Sequence, residues 1–160
     1  MGHGALKPHP IDSRLRELAI ELPPRTRPAG NYHPSKHHGN TLYLSGQFPI
    51  DNGVLRYPGV LGEALSKDEG YAAARLAALN ALAHIRAASD GWRRFKTIIR
   101  LDGYIASAQG WLEQPQVLDG ASDLFVALLG AQGEHARSVL ACAQLPMNAA
   151  VELVLTVGLT

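Results

Sequence analysis

The sequence has a single cysteine, Cys142, which excludes an internal disulfide and any paired-thiol metal or redox motif. A lone cysteine of this kind is expected to be a small buried hydrophobe. A surplus of either charge is also lacking: 15 basic and 14 acidic side chains leave a formal charge of +1. That balance provides no field for recruiting nucleic acid or an anionic membrane, and it leaves small neutral or anionic ligands open. No run approaches the ~18 consecutive apolar residues of a membrane span. Met1–Pro10 is polar and His/Pro-rich rather than basic and then apolar, so no secretory signal is expected and the default location is cytoplasmic. Internal repeats, heptads and low-complexity tracts are missing too, which removes solenoids and coiled coils. What is present, 160 residues with 46% apolar side chains and 16 glycines, is enough for one core and too little for two.

Along the chain, Ile11–Leu22 has the spacing of a short amphipathic helix, with Asp12 as a cap and Leu15, Leu18 and Ala19 on one face. Pro23-Pro24, Pro28 and Ala29-Gly30 then impose an extended connector, because proline fixes φ and biases its predecessor away from helix. Residues 1–30 therefore read as an N-terminal extension and residues 31–160 as the domain proper. Thr41–Gln47 is rich in strand formers, and Ile50–Val54 contains an Asn-Gly turn, so the sheet is expected to begin with two antiparallel strands. Ser66 and Glu69 make a capping box ahead of a long alanine-rich helix over Gly70–Ala88. A strand over Phe95–Ala106 and a second helix over Pro115–Leu129 follow, the latter weakened by Gly120 in its interior. Strands at Ser138–Ala143 and Val151–Val157 complete the order ββαβαββ. This is an α+β layer with two helices on one face of a mixed sheet, and strands this apolar need a cover on the other face, most economically a second copy of the chain.

In the last third, Ala136-Arg137-Ser138, Gln144-Leu145-Pro146 and Val151-Glu152-Leu153 resemble the signature of the Rid (reactive intermediate deaminase) family, also called YjgF-like or L-PSP endoribonuclease-like proteins. Gly30-Asn31-Tyr32 is similar to that family's Gly-Pro-Tyr segment, and Leu44–Pro49 to its Ser-Gly-Gln-x-Pro strand end. The resemblance runs from about Gly30 to Leu159, and the N-terminal extension marks a divergent subgroup. It implies a chorismate-mutase-like fold and a homotrimer enclosing a sheet-lined barrel. It also implies clefts between subunits in which reactive enamine or imine acids are hydrolysed to 2-oxo acids and ammonia without a cofactor.

Chemistry gives the matching residues reasons to be there. The rigid donor fork of Arg137 suits a planar carboxylate, held by two parallel charge-assisted bonds; an interface ion pair is the competing role. Glu152 matches the family's carboxylate for handling the proton of the attacking water, against the plainer role of an outward-facing strand residue. By resemblance, Val139 supplies a main-chain carbonyl that holds this water, Tyr32 closes the pocket and donates a hydrogen bond, and Gly46 offers a backbone N–H to the ligand carboxylate. Asp119-Gly120 stands where members often place an asparagine, which leaves that wall unassigned.

Other groups suggest less. His33, His37 and His38 lie in a Pro/Gly-containing segment without a carboxylate or thiol to complete a metal shell, and read as solvated loop histidines. His84 and His135 form no recognisable nucleophilic set. The run Trp92–Lys96 mixes basic and aromatic residues, yet without a wider basic stripe it reads as a solvated strand entry. Three functions follow in order: an imine/enamine deaminase, a non-catalytic protein binding a small carboxylate-bearing metabolite, and an endoribonuclease, which the near-neutral charge disfavours.

Overall fold

The computed structural model describes residues 7–160, and in them a five-stranded mixed sheet carries its two long helices on one face. The strands are β1 (Ser35–His38), β2 (Thr41–Leu44), β5 (Phe95–Ala106), β6 (Ala136–Cys142) and β7 (Val151–Leu159), in the spatial order β1-β2-β7-β5-β6. A two-stranded ribbon, β3 (Ile50–Asp51) and β4 (Val54–Leu55), stands apart from them. Helix α2 (Lys67–Ala88) precedes β5, and α3 (Gln114–Leu129) is the crossover joining β5 to its parallel neighbour β6; every other pairing is antiparallel. The α+β class and the helix-on-one-face layering are as the residue pattern predicts.

Period-two alternation explains the layers. Val151, Leu153, Leu155 and Val157 of β7 are buried against the helices, while Glu152, Val154 and Thr156 between them face the other side. On the helix side, Ala73, Ala74, Ala77, Ala78 and Ala81 of α2 are fully buried, their small side chains letting the helix approach the sheet and α3 closely. Ser66 caps α2 through both arms of the box: its N–H donates to Glu69 Oε2 at 2.8 Å, and the Glu69 N–H donates to its Oγ at 3.2 Å. Gly120, a weak helix former, is required by packing, since a Cβ there would collide with the main-chain carbonyl of Tyr71 on α2. The two helices touch backbone to backbone at that point.

Several local expectations need correction. The first helix, α1, spans Pro10–Glu17 and ends well before Leu22, because Ala19 takes a positive φ of 52°. Its cap is the ring of His9, which accepts from the Ile11 N–H at 3.2 Å. Asp12 instead accepts from Trp92 Nε1 at 3.1 Å and from Arg86 Nε at 3.0 Å. Trp92 is thus fully buried, not part of a solvated strand entry, and meets Phe95 edge to face at 5.8 Å. Ile11 and Leu15 join the main core, so α1 docks on the helix layer of its own protomer, away from the open sheet face. His37 and His38 lie in β1, paired with Leu42 and Thr41, and not in a loop. The opening antiparallel pair is accordingly β1 with β2, and the Asn52-Gly53 turn closes only the small ribbon. Cys142 is half-buried instead of buried.

The connector after α1 runs extended along α2, where Thr26 Oγ1 lies 3.1 Å from Nε2 of the buried His84. Burial, with Arg25 nearby, pushes the His84 pKa down. The sheet's other face is only partly covered by the described residues: a small cluster of Ala106, Leu145, Ala149 and Phe48 packs at one end, while Tyr43 and Leu140 are 49% and 50% exposed. It also carries the ion pair of Arg100 with Asp102, tied to Ser138 Oγ at 2.7 Å. No helix among the described residues is long and apolar enough to cross a membrane.

Candidate functional site

Arg137 sits on β6, the edge strand, paired with Leu101 of β5. Leu101 is fully buried beneath the helices, so the register puts the Arg137 side chain on the helix side of the sheet, against α3. Its Nη1 lies 2.8 Å from Asp119 Oδ1 and donates to Ser122 Oγ at 3.1 Å, and Nη2 reaches the Pro115 carbonyl at 3.4 Å. Ser122 Oγ lies 2.9 Å from His135 Nε2, whose Nδ1 is 2.6 Å from the Gly133 carbonyl. A carbonyl can only accept, so Nδ1 carries the proton; in the neutral ring Nε2 then accepts from the serine hydroxyl, which in turn accepts from the guanidinium. The arginine is therefore oriented before any ligand arrives. Val139 lies two residues further along on the same side and packs on the core. Because β6 has one neighbour, part of its main chain is left unpaired along the outer edge.

Glu152 occupies a different corner. It pairs with Tyr104 of β5, which pairs with Leu140, and this row belongs to the open face. The chain leaving β2 crosses it: Gln47 and Leu153 exchange main-chain hydrogen bonds of 2.8 and 2.9 Å, which brings Gly46 over the glutamate. A Cβ on Gly46 would run into the Glu152 carboxyl, so only glycine lets the carboxylate lie against the strand end. Burial raises the Glu152 pKa, and no side chain among the described residues bonds to its oxygens to offset that. The Cys142 thiol is pushed up as well, by burial and then by the charge of Glu152. Beside this corner a cleft is lined by Tyr32, Ser45, Gly46, Gln47, Phe48 and Met147, among others. Tyr32 is 52% exposed, and its hydroxyl accepts from the Ala29 N–H at 3.2 Å. Gln47 is buried, with Nε2 donating to the Ser45 carbonyl at 2.9 Å and Oε1 lacking a protein partner among the described residues.

The five residues singled out in sequence thus form two groups. Tyr32 and Gly46 line one cleft and Glu152 lies against Gly46, whereas Arg137 and Val139 stand on the other side of the sheet at its edge. Sequence reasoning missed the setting of Arg137: Asp119, Ser122 and His135. The one available signal was the three-residue spacing of Asp119 and Ser122, which puts both on the same face of α3. No group of three or more His, Cys, Asp or Glu among the described residues is placed to hold a metal ion.

Residues 12–159 match the family described as "YjgF/chorismate mutase-like, putative endoribonuclease". Protein TCP17 of Trypanosoma cruzi is 38% identical over 144 residues, covering 89% of this chain and 90% of its own. Among solved structures, a protein of Shewanella oneidensis described as an endoribonuclease by inference is 40% identical with a TM-score of 0.89, covering 92% of this chain and 98% of its own. The YjgF gene product of Escherichia coli, at 19% identity and a TM-score of 0.62 over 86% of this chain and 93% of its own, shares the fold.

Proposed function

We propose that this chain, which belongs to the YjgF/chorismate mutase-like family, is a cofactor-free deaminase that hydrolyses reactive imine and enamine acids to 2-oxo acids and ammonia. The observation that carries this reading is the placement of Glu152, a half-buried carboxylate with a raised pKa lying against Gly46 and next to the Tyr32 cleft. A carboxylate tuned upward exchanges protons near neutral pH more readily than an ordinary one. In the proposed reaction water adds to the imine carbon and Glu152 relays both water protons to nitrogen in turn; as the second leaves oxygen the carbonyl forms, the C–N bond breaks and ammonia is released. Arg137 holds the substrate carboxylate in the meantime, so that the reacting carbon stays in line with the water.

Because Arg137 and Glu152 stand on opposite sides of one sheet, the reading requires a second copy. The edge of one protomer, with Arg137 and Val139, meets the Glu152 corner of the next. Three such contacts close a trimer, cover the open faces and join Tyr43 and Leu140 to apolar neighbours. A non-catalytic carboxylate-binding protein is the second reading, favoured by the fact that the anchor is fully oriented inside one protomer while the proton-handling group is not near it. Endoribonuclease activity, the description attached to the Shewanella relative, has less support from a chain of formal charge +1.

The test is release of 2-oxobutanoate from freshly generated 2-iminobutanoate, with the oligomeric state followed by light scattering. Acceleration over the uncatalysed rate, lost in Arg137→Ala and in Glu152→Gln while the trimer persists, is the expected result. A wild-type rate equal to the uncatalysed one across several imines rejects turnover and promotes the binding reading.

A further inference from the structure

The cation at Arg137 does not stand alone. Nη1 is the occupied nitrogen, ion-paired with Asp119 Oδ1 at 2.8 Å and donating to Ser122 Oγ at 3.1 Å. The Nε–H has no partner among the described residues, and Nη2 makes only the 3.4 Å contact to the Pro115 carbonyl. The Nε–Nη2 side of the fork is therefore the one left to receive a ligand carboxylate. The arginine borders a recess lined also by Asp119, Ser122, Val126, Glu134 and His135, in which one full cation is accompanied by two carboxylates.

A ligand carrying only negative charge meets a penalty here. Asp119 already neutralises part of the guanidinium charge, and a second carboxylate on the same guanidinium faces Asp119 across a short distance, in a setting less screened than bulk water. A ligand with a positive nitrogen next to its own carboxylate reverses the sign of that second interaction. We infer that this recess selects zwitterions, small 2-amino or 2-iminio acids whose carboxylate lies on Arg137 and whose cationic N–H group faces Asp119, over 2-oxo acids of the same skeleton. The inference deepens the proposed deaminase and rests on Arg137 being its carboxylate anchor.

A consequence for turnover follows from charge balance. A 2-iminio acid and water give a 2-oxo acid and an ammonium ion: the carbonyl C–O bond forms, the C–N bond breaks, and the positive charge leaves with nitrogen. The organic product then retains only its carboxylate, so Asp119 favours the substrate while disfavouring retention of the product. Asp119 becomes a specificity-determining residue, with Ser122 and His135 fixing the fork that it shares.

Titration calorimetry of the full chain with 2-aminobutanoate, a stable stand-in for the iminium, and with 2-oxobutanoate provides the test. The wild type is expected to bind the amino acid about ten-fold more tightly, Asp119→Asn to bring the two within about two-fold, and Asp119→Glu to restore the preference. Arg137→Ala is expected to lose both ligands. If Asp119 served only to position the arginine, Asp119→Asn would weaken both ligands together and leave their ratio intact, which overturns the inference. Equal or tighter wild-type binding of the oxo acid overturns it as well. Should Arg137→Ala bind both ligands like the wild type, the anchor reading itself fails; should it lose both while the Asp119→Asn ratio stays unchanged, only the zwitterion preference fails.

Discussion

The Arg137 corner and the Glu152 corner are built in opposite ways. At the first, a guanidinium is held from one side by an aspartate and a serine and touched by a main-chain carbonyl, with a histidine behind the serine to hold it. At the second, a carboxylate is pushed against a glycine strand end with no side chain bonding to it, and burial raises its pKa. Satisfaction orients a group, whereas incomplete solvation without a partner tunes one. In the proposed deaminase the anchor needs the first treatment and the proton carrier the second, which is how the two corners would divide the work.

The largest effect that would break the contrast is expected at the anchor. Arg137→Ala should lower kcat/KM for 2-iminobutanoate by about 100-fold or more, through loss of a bidentate charge-assisted contact, and Arg137→Lys should recover only part of it. A variant within two-fold of wild type would remove Arg137 from the site. At the other corner, Glu152→Gln should reduce kcat by about 100-fold while leaving 2-oxobutanoate binding in place.

The same substitution sharpens the comparison through stability. The folded pKa of Glu152 is raised, so the folded state holds this proton more tightly than the unfolded chain does, and the ionised carboxylate weighs against folding at neutral pH. Glu152→Gln should therefore melt about 1–3 °C higher than wild type at pH 7. The advantage should vanish once the pH is below the carboxylate's unfolded value, near 4.3. A melting profile parallel to wild type from pH 4 to pH 8 would show that burial does not tune this group.

Gly46→Ala tests whether the close approach matters. Its Cβ must displace the Glu152 carboxyl, at a cost of about 1–3 kcal/mol from overpacking and with about a ten-fold fall in kcat. An unchanged kcat would mean that the carboxylate has room to work elsewhere. The smallest effect belongs to His84, far from both corners. Its pKa is lowered by burial, so the unfolded chain binds the proton that the folded one rejects, and stability is lost as the pH falls below the usual imidazole value of about 6.5. His84→Gln should flatten the decline in melting temperature between pH 7 and pH 5 by about 2 °C. Wild-type stability that does not fall across this interval would count against the lowered value.

Where local chemistry decides, the sequence is legible. The bounds of β5, the capping box at Ser66 and the helix over α3 follow from periodicity and side-chain capping, and the structure places them where the residues predict. Where a distant partner competes, it is not. Asp12 looks like a helix cap until Trp92 and Arg86 are found to claim its carboxylate, and the strand of His37 and His38 exists only because β2 lies beside it. Gly120 reads as a weakness in α3 until Tyr71 of α2 is seen to occupy the space of its missing side chain.

The candidate site divides along the same line. The order of residue types determined by itself the α+β class, the resemblance to a family, and the five positions at which its chemistry would be carried: Tyr32, Gly46, Arg137, Val139 and Glu152. Only the tertiary structure decided that Arg137 shares its fork with Asp119 and Ser122, and that it stands across the sheet from Glu152. The physical reason is strand register. A side chain's type is local, but the face it occupies depends on how β6 and β7 pair with β5, and that pairing is settled by burying one complete apolar face against the helices.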